Sequence, residues 1–215
     1  MNAEGLAKAK SAVAELTKQF EGTLKTVNAS LLQAFKSREA KTHFGAAGFD
    51  EATFVFLLAE TMRANGWRVR YERPYRTHGG RARRKWGKQR SDLLAERTGQ
   101  LGLLIEAKWW WNKATQKQLG DVWRTDEKKL RAVDRTKWVP LALVVSVGSK
   151  KGRDSGWQTP GSAKKRLRDE CPKEGWEFWG AAAIKSPYTV LRANTPAQEP
   201  LEDGVFAAAF FYPVP

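Results

Sequence analysis

Cysteine and histidine are both scarce in this sequence, with one cysteine and two histidines among 215 residues. Cys171 has no cysteine partner, which excludes an internal disulfide and a metal cluster built on thiolates. His43 and His78 offer little material for a histidine-rich metal site or for a Ser-His-Asp hydrolase. Any metal chemistry in this protein must therefore rest on carboxylates.

Long apolar runs are also missing. The N-terminus, MNAEGLAKAK, lacks the apolar core of a signal peptide, and no run reaches the length of a membrane span. We therefore predict a cytoplasmic protein with no membrane partner.

Acidic residues are in deficit, with 23 Asp and Glu against 38 Lys and Arg, which gives a net charge of +15 and a pI near 10.1. Such a charge favours a polyanionic partner. Nucleic acid is the first candidate, an anionic membrane surface is a weaker one, and a merely soluble basic protein is the alternative. The length and the 41% hydrophobic content predict a globular chain with a real core.

The first segment, from residue 3 to about residue 38, has the pattern of a long helix. Apolar residues recur every three or four positions along it, at Val13, Leu16, Phe20, Leu24, Val27, Leu31 and Phe35. This stripe packs either on the protein's own domain or on a second copy, as a homodimer contact. We assign residues 1–45 to an N-terminal helical extension and residues 46–215 to the main domain, since no internal repeat or long linker divides the rest.

The main domain alternates between the helix and strand periodicities. A helix with Asp50 as its N-cap and Gly66 near its end is followed by three strands, a lysine-rich helix and a buried strand. The segments, in order, read FDEATFVFLLAETMRANGW, WRVRYERPY, SDLLAE, QLGLLIEAKWWW, NKATQKQLGDVWRTDEKKLRAV and WVPLALVVSVG. Two more strands, GWEFWGAAAI and GVFAAAFFYPV, follow a basic loop and a short helix. This order predicts a mixed α/β sheet covered by helices.

The third strand carries an unusual ending, because its aliphatic run gives way to Glu106 and Lys108. Alternation along a strand puts these two side chains on the same side, at the end of a strand central to the sheet. Asp92 lies near the end of the preceding strand and can face the same site. Two converging carboxylates repel unless a cation lies between them, and Mg²⁺ prefers such oxygen ligands. Lys108 beside them can position a water molecule or stabilise developing negative charge.

Asp92, a gap of 13 residues, and then Glu106-Ala107-Lys108 resemble the core signature of the PD-(D/E)XK nuclease superfamily. The resemblance covers residues 48–148 and implies a restriction-endonuclease-like αβββαβ core, here with the N-terminal helical extension. It implies cleavage of DNA, or less often RNA, with Mg²⁺ or Mn²⁺ as cofactor. It further implies Asp92 and Glu106 as metal ligands, Lys108 as the catalytic lysine and Glu51 as an accessory ligand.

The sequence departs from that family at two places. Ser91 stands where the family often has proline. Gln118 is followed four residues later by Val122, where one exonuclease-like branch has tyrosine, although Gln116 and Gln118 remain candidate auxiliary residues. A structural alternative for Glu106 and Lys108 is an ion pair at a strand end. Glu51 also has an alternative, because the helix dipole favours a glutamate at a helix start regardless of function.

A basic loop from Arg76 to Arg90 immediately precedes Asp92. Arginine matches phosphate geometry, and glycine lets the backbone approach a ligand closely, so this loop would deliver the phosphate backbone to the metal. The predicted nucleic-acid-binding residues are Arg81, Arg83, Arg84, Lys85, Lys88, Arg90 and Lys113, with Trp86 as a stacking candidate. A solvated loop or a localisation signal is the alternative.

These observations together predict a metal-dependent deoxyribonuclease, more specifically an endonuclease. Two alternatives come from other functional classes. One is a nucleic-acid-binding protein that keeps the fold and the basic loop but does not cleave. The other is an assembly protein that acts through its N-terminal helix.

Overall fold

The computed structural model describes residues 3–36, 51–74, 89–110, 126–149, 159–170, 174–188 and 202–214, with side chains described for most of each range. The helices are α1 (Ala3–Lys36), α2 (Glu51–Ala64) and α3 (Pro160–Glu170), and a further helical segment covers residues 126–131. The strands are β1 (Arg68–Pro74), β2 (Arg90–Glu96), β3 (Gly102–Trp110), β4 (Trp138–Ser149), β5 (Trp176–Tyr188) and β6 (Glu202–Pro213). None of the helices in these ranges combines the length and the apolar character needed to cross a bilayer.

The six strands form one mixed sheet in the order β1-β2-β3-β4-β6-β5. Strands β3 and β4 run parallel, and every other neighbouring pair is antiparallel. The parallel pair requires a crossover connection, and the helical segment 126–131 lies within that connection. The predicted mixed α/β sheet is therefore confirmed, and β3 is a central strand, as its unbroken aliphatic run indicates.

Both faces of the sheet are covered. Helices α1 and α2 pack on one face, where they form a core with Leu103, Ile105 and other inward residues of the strands. The helical segment 126–131 and α3 pack on the opposite face, around Leu104 and Leu94. Successive residues of β3 thus alternate between the two cores, and we name these the α1/α2 face and the α3 face.

Helix α1 closely matches its predicted extent. Val13, Leu16, Phe20 and Leu24 are buried against the sheet and α2, as the stripe predicts, whereas Val27 is only partly buried. The helix therefore packs on its own sheet. A homodimer through α1 would have to use other side chains, since this part of the stripe is already covered.

Helix α2 ends as its sequence predicts. The N–H groups of Gly66 and Trp67 donate hydrogen bonds to the carbonyls of Arg63 and Met62, at 3.1 and 3.0 Å. Gly66 adopts a φ of 80°, which a glycine accepts without strain and which reverses the chain into β1. The predicted N-cap, Asp50, lies outside the described residues.

Strand β1 keeps its predicted alternation through Tyr71, although burial decreases along it. Trp67 and Val69 are buried, as expected, but Tyr71 is exposed and lies under the guanidinium of Arg63, 5.1 Å from its ring centroid. The next residue, Glu72, has a φ of 44°, which interrupts the regular pleat. The two-residue period therefore holds from Trp67 to Tyr71, which pairs with Leu93 of the α1/α2 face.

The outer edge of β5 is closed by side chains of α1. The Oε2 atom of Glu21 accepts a hydrogen bond of 3.3 Å from the N–H of Ala183, and the side-chain amide of Asn28 donates one of 3.2 Å to the carbonyl of Lys185. Glu21 also pairs with Lys164 of α3, so one carboxylate links the helices on the two faces across the sheet edge. These two backbone groups are thereby occupied and are not available to pair with another strand.

Candidate active site

Three predicted site residues, Asp92, Glu106 and Lys108, lie on the α3 face of neighbouring strands. The β2–β3 ladder pairs Leu93 with Ile105, so the next position along each strand sets Asp92 opposite Glu106. Directly paired residues of antiparallel strands point to the same face. Lys108 follows Glu106 by two residues and shares that face. The structure thus brings these three side chains together.

Asp92 is anchored by the neighbouring strand. Its Oδ2 atom accepts a hydrogen bond of 2.7 Å from the backbone N–H of Ala107. Burial raises the pKa of Asp92 above its ordinary value, and the negative charge of Asp126 acts in the same direction. The hydrogen bond from Ala107 and the positive charges of Lys108 and Lys129 oppose that rise. Asp92 is therefore a fixed, partly desolvated carboxylate whose charge is costly to keep.

Glu106 is almost fully buried, with 2% of its surface exposed. The ammonium of Lys129, itself a buried side chain, lies 3.9 Å from its Oε2 atom. A carboxylate at this depth is stable only when it is paired or hydrogen-bonded, because transfer of a lone charge out of water is expensive. Lys129 supplies part of that compensation.

Asp126 joins the two lysines of the site. Its Oδ1 atom lies 2.5 Å from the ammonium of Lys129, and its Oδ2 atom lies 3.2 Å from the ammonium of Lys108. About 10% of the Asp126 side chain is exposed, so the bridge is largely shielded from solvent. Ion pairs in such surroundings are much less screened by salt than surface pairs.

Neither Asp126 nor Lys129 was singled out from the sequence as a site residue. Both lie on the helical segment 126–131, and Leu130 of this segment, together with Val133 just beyond its end, packs in the core of the α3 face. The spacing 126, 129, 130 and 133 is that of one helix face. The signal that could have identified them was the presence of one acidic and one basic residue on an otherwise apolar helix face.

The cluster of Asp92, Glu106, Asp126, Lys108 and Lys129 holds three carboxylates and two ammonium groups. One negative charge is in excess when all five are ionised. Carboxylate oxygens are the donors that Mg²⁺ and Mn²⁺ prefer, so the donor set fits the implied metal. Within the described ranges, no three metal-ligating side chains are close enough together to enclose an ion in the present arrangement.

Glu51, the predicted accessory ligand, is the first residue of α2. Its side chain lies outside the described part of the structure. Near the start of the same helix, the ring of Phe54 packs on the ring of Phe206 in β6. Phe206 pairs with Val147 of β4, and this pair lies at the end of the sheet where β3 finishes. Helix α2 therefore starts near the end of the sheet that holds the cluster, but it covers the α1/α2 face, whereas Asp92, Glu106 and Lys108 point to the α3 face.

The predicted nucleic-acid-binding residues fall mainly outside the described residues. This applies to Arg81, Arg83, Arg84, Lys85, Lys88 and Lys113, and also to Trp86, Gln116 and Gln118. Arg90 is described: it starts β2, is exposed, and lies 3.3 Å from Glu72 of β1. Arg90 is two residues before Asp92, so this end of the predicted basic loop is adjacent to the cluster in sequence.

Comparisons with known proteins add no relative to this picture. No family model, no curated protein and no solved structure matches the chain. The candidate site therefore rests on its own geometry and chemistry.

Proposed function

We propose that this protein is a divalent-metal-dependent nuclease that hydrolyses phosphodiester bonds of DNA, acting as an endonuclease of the restriction-endonuclease-like class. The observation that carries the proposal is the placement of Asp92 opposite Glu106 with Lys108 on the same face. The order α2, β1, β2, β3, helical segment and β4 also agrees with the αβββαβ core that the sequence resemblance implies.

Asp92 and Glu106 would hold the metal, with Glu51 as the proposed accessory ligand. A bound Mg²⁺ or Mn²⁺ would supply an activated water and neutralise charge on the phosphoryl group. The hydrogen bond from Ala107 fixes one oxygen of Asp92, which keeps this carboxylate oriented before a metal arrives. The burial of Glu106 keeps its surroundings poor in water, where charge interactions are strong.

Lys108 would act on the substrate side of the site. Its ammonium is held by Asp126 at 3.2 Å, and about a quarter of its side chain, 23%, remains exposed to solvent. It can therefore position the attacking water or stabilise negative charge developing on the phosphate. The net charge of +15 and the basic loop from Arg76 to Arg90 would hold the DNA backbone against this opening.

A second function is favoured by one specific observation. Lys108 and Lys129 already compensate Asp126 and Glu106, as expected of a structural ion network in a protein that binds nucleic acid without cleaving it. In that case binding would be independent of metal and no product would form.

The deciding experiment is a cleavage panel with linear, circular, single-stranded, branched and RNA substrates, with Mg²⁺, with Mn²⁺ and with a chelator. The nuclease proposal predicts nicking or degradation of DNA that the chelator abolishes. Tight DNA binding with no product under any metal condition would instead establish the non-cleaving alternative.

A further inference from the structure

The helical segment 126–131 places charged side chains at the site. The proposed metal chemistry does not use these charges. Lys129 has only 11% of its side chain exposed, and its ammonium lies between Asp126, at 2.5 Å, and Glu106, at 3.9 Å. Burying a lysine to this extent is costly unless the charge meets a specific need. The need is visible, because Glu106 is a buried carboxylate on the strand beneath.

We propose that Lys129 is a built-in counter-cation of the site, which holds Glu106 and Asp126 in the metal-free protein and competes with the divalent metal for Glu106. This inference rests on the proposed function, since it assigns Glu106 to the metal. Asp126 is the positioning residue of the device, because its two oxygens hold Lys129 on one side and Lys108 on the other.

The competition follows from the charges. A divalent cation that binds Glu106 brings two positive charges close to an ammonium that is already 3.9 Å from the same carboxylate. In a partly buried site this repulsion is only weakly screened. Lys129 therefore moves away from Glu106 as the metal enters, and Asp126 retains it nearby. Glu106 and Asp126 therefore remain compensated in the metal-free protein, at the cost of weaker metal binding.

The test measures Mn²⁺ binding in the absence of DNA, by calorimetric titration and by the rise in Tm with Mn²⁺ concentration. Lys129→Met removes the competing charge, so we expect it to bind Mn²⁺ roughly tenfold more tightly than the natural protein. Lys128→Met is the matched control, because Lys128 neighbours Lys129 on the same helical segment but is exposed. It loses the same charge and should leave Mn²⁺ affinity unchanged.

A measurement on the unaltered chain covers the case in which Lys129→Met does not fold. Lysine acetylation followed by mass spectrometry reports the accessibility of each ammonium group. We expect saturating Mg²⁺ to increase the modification rate of Lys129 severalfold and to leave that of Lys128 unchanged.

The outcomes separate the two proposals. If the natural protein binds Mn²⁺ but Lys129→Met binds it no more tightly, or if Mg²⁺ leaves Lys129 as protected as before, the counter-cation role is overturned and the nuclease proposal stands. If neither the natural protein nor any variant binds Mn²⁺, the proposed function fails and this inference fails with it.

Discussion

The Oδ2 atom of Asp92 accepts a hydrogen bond of 2.7 Å from the backbone N–H of Ala107, the residue between Glu106 and Lys108. This hydrogen bond ties the side chain on β2 to the backbone of β3 at the point where the acidic and basic side chains emerge. Both strands belong to the sheet, which is covered on both faces, so the sheet fixes the relative positions of Asp92, Glu106 and Lys108. We expect this arrangement, and the charges elsewhere in the chain, to have four measurable consequences.

Replacing a proposed metal ligand should abolish cleavage while leaving the fold intact. Asp92→Asn keeps a side-chain oxygen that can accept the hydrogen bond from Ala107, so we expect a loss of free energy of unfolding of no more than about 1–2 kcal/mol. Metal-dependent cleavage should fall at least about a hundredfold, equivalent to ~2.7 kcal/mol in the barrier. Plasmid nicking and thermal unfolding measure the two effects.

Glu96→Gln is the matched control for Asp92→Asn. Glu96 lies on the same strand, is partly exposed, and pairs with Arg70 at 3.7 Å at the end of β2 away from the cluster. Its replacement should leave cleavage unchanged. If Asp92→Asn cleaves DNA at the same rate as the natural protein, Asp92 is not part of the site.

Replacing the proposed catalytic lysine should separate catalysis from metal binding. Lys108→Met removes the ammonium but keeps the length of the side chain. We expect cleavage to drop about a hundredfold or more because charge stabilisation in the transition state is removed. Mn²⁺ should still bind, since Asp92 and Glu106 remain. Single-turnover cleavage and Mn²⁺ titration report the two properties, and Lys108→Met with full activity would leave only a structural role for Lys108.

The ion pair of Glu21 with Lys164 should make stability depend on pH in the acidic range. Burial alone raises the pKa of Glu21, but hydrogen bonds from Lys164, Lys25 and the N–H of Ala183 outweigh it and hold the pKa below the ordinary value of 4.5. A carboxylate with a lowered pKa in the folded state stabilises the protein above its unfolded pKa. That stabilisation disappears as the pH falls through the lower folded pKa.

Glu21→Gln should therefore lower Tm at neutral pH. The difference in Tm between the natural protein and the variant should become smaller as the pH falls below about 4.5, because the Glu21 charge is then lost. Glu15→Gln is the control, because Glu15 is an exposed glutamate of the same helix. Thermal unfolding from about pH 3 to about pH 7 is the measurement. A Tm difference that stays constant across this range would show that the Glu21 charge does not stabilise the fold.

Removing charge from the basic loop should weaken DNA binding without altering the site. With Arg81, Arg83 and Arg84 all changed to alanine, we expect weaker binding to every DNA sequence and a smaller dependence of affinity on salt. The slope of log affinity against log salt should fall by up to about one for each phosphate that the variant no longer neutralises. Binding titrations over a series of salt concentrations measure this slope.

The control for the loop variant replaces three exposed lysines with alanine, namely Lys8 and Lys18 of α1 and Lys137 just before β4. The net charge changes equally in both variants. An equal drop in affinity in the two would indicate that overall charge, and not the loop, attracts DNA.

Much of the fold was predictable because short-range patterns determine it. The stripe at Val13, Leu16, Phe20 and Leu24 predicts the buried face of α1, and the aliphatic run before Glu106 predicts a central strand. Tyr71 lies on the same face as Val69, as alternation predicts, but alternation does not reveal that its ring is exposed on the edge strand β1. The order in which β4, β6 and β5 complete the sheet also came only from the structure.

The sequence by itself determined which residues at the ends of β2 and β3 carry charge. It also determined which charged residues of one strand share a face, because side chains alternate along a strand with a period of two residues. The tertiary structure alone decided that Asp92 lies opposite Glu106, because that depends on the register between two strands. It also decided that Asp126 and Lys129 join them, because a helix packed on a sheet brings together residues distant along the chain. Strand period is a local property, whereas strand register and helix docking are set by the burial of side chains from the whole domain.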